Sequence, residues 1–169
     1  MIVTQREIGE ETSKLADTAP RTWRYLVSHA DKLDARGSII YKSKPRFSVF
    51  GVGQYTFAPW KIAISGFYKS LNFMKVGSLN GKPTIMDDTI YFLPCQVEEE
   101  ADFIMSLVRS RPFSELLRSM VFENEKRPIT AELLKRISLE KVAYQLRLAD
   151  RYASFARTSQ MNQLSLSLS

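Results

Sequence analysis

Cations and flat rings interleave between Tyr41 and Lys69: Tyr41, Lys42, Lys44, Arg46, Tyr55, Trp60, Lys61, Tyr68 and Lys69. Ammonium and guanidinium groups neutralise phosphates, while aromatic faces stack on bases or wedge against them. The competing account is a solvated sheet face above ordinary core aromatics. The charge distribution favours the first. From Ala35 to Met86 stand Arg36, Lys42, Lys44, Arg46, Lys61, Lys69, Lys75 and Lys82, without one Asp or Glu. At a typical acidic frequency of about 12%, a gap of that length is rare by chance. Acids return at Asp87 and Asp88 and cluster at Glu98, Glu99, Glu100 and Asp102, within a net charge of +6. A basic middle between balanced ends is the footprint of a polyanion-binding face.

Other candidate chemistry is thinner. Asp87 and Asp88 could share a Mg²⁺ with a nearby lysine, Lys82 or Lys126, as a nuclease requires. Equally, Asp88 could cap a turn, and no nuclease-like carboxylate–lysine pattern accompanies the pair. Phe50-Gly51-Val52-Gly53 lacks the third glycine and following helix of a dinucleotide loop, so a tight turn between strands is the better account. Lys126 and Arg127 precede Pro128-Ile129-Thr130, a helix start that could accept a phosphate. One histidine, His29, and one cysteine, Cys95, exclude an internal disulfide and multi-cysteine metal sites and remove the usual base of nucleophilic triads. His29 is expected at a helix surface and Cys95 as a buried or boundary thiol.

Several elements must position these groups. Thr18, Pro20 and the spacing of Trp23, Leu26, Ala30 and Leu33 predict one helix ending near Gly37. Aromatic and β-branched texture predicts strands at Arg46–Phe50, Gln54–Phe57, Trp60–Ser65, Phe73–Val76, Thr84–Met86 and Thr89–Leu93. Asn80-Gly81 marks a hairpin turn, and Pro59 an edge or bulge. Helices follow over Glu98–Arg109, Pro112–Phe122 and Ala131–Ile137, then from Ser138 to about Arg157. Their buried stripes are Ala101, Ile104, Met105 and Val108, then Phe113, Leu116, Leu117 and Met120. This is an α+β fold: an N-terminal helix, a mainly antiparallel twisted sheet and a C-terminal helical block. A single domain is expected over residues 1–157, with 158–169 a disordered tail. No apolar run is long enough to span a bilayer, and the charged start of the chain is unlike a secretory signal, so a cytoplasmic location is expected.

Consecutive phrases carry a resemblance. They are Ile8–Thr12, Ala19–Leu26, Arg36-Gly37-Ser38, Ile40-Tyr41-Lys42, the long block Phe47–Lys69, Gly81-Lys82-Pro83, Asp87-Asp88-Thr89 and Lys126–Thr130. Together the chain resembles the C-terminal target-recognition region of bacterial adenine-specific DNA methyltransferases of restriction–modification systems. The resemblance implies a specificity module that binds double-stranded DNA. Its S-adenosylmethionine loop and Asn/Asp-Pro-Pro-Tyr/Phe motif belong to a separate catalytic domain or subunit, and neither stands in this chain. No cofactor is expected here, and activity alone is not. The resemblance makes Lys42, Lys44, Arg46, Lys61 and Lys69 phosphate-contact candidates, with Lys126 and Arg127 as further backbone contacts. Gln54, Tyr55 and Asp88 become candidates for base edges or for propping the duplex, and Trp60 for stacking. Two other readings stay open: a metal-dependent nuclease using Asp87 and Asp88, and an interaction module docking its helical block on a catalytic partner.

Overall fold

The computed structural model describes residues 2–38, 41–67, 71–121 and 128–159. Among them stand eight α-helices and one three-stranded antiparallel sheet, the α+β class expected. The chain divides into two compact units, Met1–Thr56 and Phe57–Ser169.

The first unit holds α1 (Leu15–Thr18), α2 (Pro20–Ser28) and α3 (Ala30–Asp34). The one long helix expected here breaks at His29, whose backbone leaves helical geometry. Leu26 is buried, and Trp23 meets Phe47 edge to face at 5.4 Å. The strand expected over Arg46–Phe50 does not form. Phe47 and Gly51 have positive φ, 65° and 71°, which breaks an extended run. Side chains from the start of the chain satisfy this segment instead. Thr4 Oγ1 donates to Phe47 O at 2.9 Å, and the Gln5 amide exchanges bonds with Val49 O and Val49 N at 3.1 and 2.9 Å. The Thr12 hydroxyl donates to Arg46 O, and Arg36 Nη1 to Ser48 O at 2.8 Å. These bonds occupy main-chain groups that a sheet would otherwise pair. Gln54–Phe57, also expected as strand, is a 3-10 turn. Thr56 sets it by donating its N–H to Gly53 O at 2.9 Å and accepting the Gly53 N–H at 3.1 Å.

In the second unit β1 (Trp60–Ser65) lies between β2 (Met74–Val76) and β3 (Ile90–Cys95), antiparallel to both. Pro94 lies within β3, beyond the expected end of that strand. An outer strand tolerates proline because its missing N–H can fall on the unpaired side. Thr84–Met86 forms no strand; Thr84 Oγ1 donates to Gly77 O at 2.8 Å. Leu79 and Lys82 exchange backbone bonds at 2.8 and 3.0 Å around Asn80 (φ 51°) and Gly81 (φ 73°), the hairpin turn expected.

Helix α4 (Glu98–Val108) carries three glutamates in its first turn, where the helix dipole favours negative charge. Its expected stripe is buried, and so are Phe103 and Leu107, because the helix packs both on the sheet and on neighbouring helices. In α5 (Arg111–Met120) Phe113 and Leu117 are buried while Leu116 is 42% exposed. Thr130 and Ser138 cap α6 (Ala131–Lys135) and α7 (Leu139–Gln145) by accepting the N–H of Leu133 and Lys141. Arg147, at φ 60°, then separates α7 from α8 (Ala149–Ser159), where one helix was expected. These helices and Ile62 of β1 share one apolar core. Residues 160–169, most of the expected tail, lie outside the described residues.

Candidate nucleic-acid interface

The basic stretch does not present its charges uniformly. In the first unit Tyr41 and Lys44 close a turn through Lys44 N–H and Tyr41 O at 3.4 Å, leaving Lys42 exposed and Lys44 half-buried. Neither lysine makes an ion pair with any described residue. Arg36 is structural: its guanidinium lies 3.8 Å over the Tyr41 ring and donates to Leu33 O and Ser48 O. Arg46 is exposed but bound to Asp34, which receives Nε at 3.1 Å and Nη2 at 2.5 Å. That contact holds the Asp34 carboxyl below its ordinary range and raises the Arg46 guanidinium. Gln54 is exposed and donates to Glu7 at 3.0 Å. Tyr55 folds over Gly53, where a Cβ would stand 2.7 Å from the ring, and its hydroxyl donates to Gly51 O at 2.6 Å. Close Tyr55 packing is thus the structural use of Gly53.

In the second unit Lys61 is 0% exposed. Its Nζ donates to Ala58 O at 2.6 Å and lies 5.7 Å from the centre of the Phe92 ring. Burial pushes its pKa down. In this conformation its ammonium faces the interior, out of reach of a phosphate. Trp60 is half-buried with Gly77 against its ring, and Lys75 lies over it at 5.2 Å. Lys75 is itself paired with Glu98 at 3.0 Å and Asp102 at 2.5 Å, which raise its pKa. Lys82, at the hairpin tip, is exposed without an ion pair among the described residues. Lys42, Lys44 and Lys82 are therefore the cations of the Ala35–Met86 stretch that the described structure leaves available. Lys69, Tyr68, Lys126 and Arg127 lie outside the described residues.

Asp87, not Asp88, makes the turn before β3. It accepts the Thr89 N–H at 3.0 Å and hydroxyl at 2.5 Å, and these bonds hold its carboxyl below the ordinary range. Asp88 is exposed beside it. No cluster of three His, Cys, Asp or Glu side chains suited to a metal occurs among the described residues. His29 is exposed as expected, with Nδ1 2.9 Å from Tyr25 O. Cys95 is buried, and burial followed by the Glu100 charge pushes its thiol up to about 12. No described helix is long and apolar enough to cross a membrane.

Over 143 residues the chain is 50% identical to the type II methyltransferase M.NspV of Nostoc sp.. The match takes in 85% of the chain and 30% of that relative, so the chain is related to a type II methyltransferase while spanning less than a third of it. No protein-family model matches the chain, and no solved structure matches it.

Proposed function

We propose that the chain is the DNA-recognition module of an adenine-specific restriction–modification methyltransferase, working with a catalytic domain or subunit that holds S-adenosylmethionine. The observation that carries this reading is the match of 85% of the chain to 30% of a type II methyltransferase. That leaves most of the relative for cofactor binding and methyl transfer. The target-recognition resemblance assigns the shared part its role, and both compact units serve it as one module in the cytoplasm.

Charge supports the reading. Exposed Lys42 and partly exposed Lys44 have no acidic partner among the described residues, so a phosphate can approach without displacing one. Arg46 joins them when it exchanges Asp34 for a phosphate. Gln54 and Asp88, both exposed, are suited to base edges, and Tyr55 packs on Gly53 beside Gln54. Lys69, Lys126 and Arg127 are backbone contacts on the strength of the resemblance.

The test is fluorescence-anisotropy binding of the purified chain to a duplex at about 50 and 200 mM salt. Binding that weakens by orders of magnitude between the two supports a multi-phosphate face. No binding at either salt removes autonomous DNA recognition and favours docking on a catalytic partner.

A further inference from the structure

Helix α2 differs in charge from every other described α-helix. Each of the others contains at least one Asp or Glu; α2, Pro-Arg-Thr-Trp-Arg-Tyr-Leu-Val-Ser, contains none. Solvent faces of helices ordinarily mix the two signs. Its inward side is settled by Leu26, which is buried, and by Trp23, whose ring meets Phe47. Arg21, Arg24, Tyr25 and Ser28 follow at i, i+3, i+4 and i+7, share the opposite face, and are all exposed. Neither arginine has an ion pair among the described residues, a state they share with exposed Arg118 and Arg147. Tyr25 is 53% exposed, its ring tilted against His29 with centroids 4.3 Å apart. The nearest acids in sequence are Asp17 and Asp31, and the charge of Asp31 acts on Arg46.

We infer that the Arg21–Arg24–Tyr25–Ser28 face of α2 is a DNA-contacting helix face. The inference rests on the DNA-recognition reading and adds a surface to it. Charge complementarity selects the occupant: a duplex offers a phosphate about every 1.7 Å of axis, and its major groove, about 12 Å wide, admits one α-helix. The two guanidiniums supply forked donors for phosphates or guanine edges, and Tyr25 adds a hydroxyl, while the Ser28 hydroxyl donates to Tyr25 O at 2.8 Å.

The test compares four forms of the full chain on one duplex: wild type, Arg21→Gln/Arg24→Gln, Arg118→Gln/Lys141→Gln, and Lys42→Ala/Lys44→Ala. The second pair removes the same charge from exposed positions on α5 and α7. Glutamine keeps helix propensity, and a thermal melt shows that each variant is folded. The expected result is that the α2 variant lowers the slope of log K against log salt by about 1.8, with the α5/α7 control near wild type. An α2 variant equal to wild type, or a control that loses as much, overturns the inference and leaves DNA recognition standing. If wild type itself binds no duplex at about 50 mM salt, the DNA reading fails and this one with it.

Discussion

Arg46 and Asp34 are joined by a two-pronged contact, with Nε 3.1 Å from both carboxylate oxygens and Nη2 2.5 Å from one of them. Both side chains are solvent-exposed, so the pair contributes little to stability, but it masks a cation in the stretch most suited to phosphate. Asp34→Asn removes the masking charge. The expected outcome is tighter duplex binding, with a salt slope steeper by up to about 0.9, measured by anisotropy across a salt series. Unchanged affinity would mean that Arg46 does not reach the DNA backbone.

On the proposed reading, Lys42 and Lys44 neutralise phosphates without reading sequence. Replacing both with alanine should lower the salt slope by about 1.8 and weaken all duplexes alike. Selection from a random pool checks the second half: the enriched site should be the same as for wild type.

Lys61 predicts a pH effect on stability. Its folded pKa lies below the ordinary 10.5 because the charged form is buried. As pH rises, the folded chain loses this proton before the unfolded chain does, so the unfolded state binds more protons and stability rises. The melting temperature of wild type relative to Lys61→Met should therefore climb as pH approaches 10.5. A constant difference would place the ammonium in contact with water.

Cys95 is 2% exposed and its thiol is pushed up to about 12. At pH 8 an aromatic disulfide reagent should leave native protein unmodified and titrate one thiol once denaturant is added. Rapid reaction of the native chain would show that β3 opens.

Gly81 holds φ at 73°, and nothing lies within 4 Å of a Cβ built there. Gly81→Val is therefore strained without being crowded. Its cost should be about 1–3 kcal/mol, seen as a lower urea midpoint at unchanged slope.

Local pattern revealed what local physics decides. The bounds of β1, the Asn80-Gly81 turn and the caps at Thr130 and Ser138 all depend on residues close in sequence. The segment Arg46–Phe50 has strand-like composition, yet its carbonyls are satisfied by Thr4, Gln5 and Thr12, 34 to 44 residues earlier. No window along the chain contains both partners. The break between α7 and α8 falls on Arg147 at positive φ, where no glycine announces it. At the candidate interface the abundance of cations was legible and their fates were not. Lys61 looks like an outward residue of an alternating strand, but β1 is central, with its four inner residues buried on both faces. The pairing of Lys75 with Glu98 and Asp102 joins positions 23 and 27 residues apart.

The straps across the first unit have a practical reach. Thr4, Gln5 and Thr12 address the backbone of Phe47, Val49 and Arg46 group by group, and Gln5 offers both halves of its amide to one residue. Such addressing is written in side chains, so it is not conserved through change as a main-chain ladder would be. The backbone that follows Lys42 and Lys44 is thus held partly by three uncharged side chains of the first dozen residues. A homologue that swapped in a different opening segment would re-address the backbone of Arg46, Phe47 and Val49, and on the proposed reading would change how the basic stretch meets DNA without altering it.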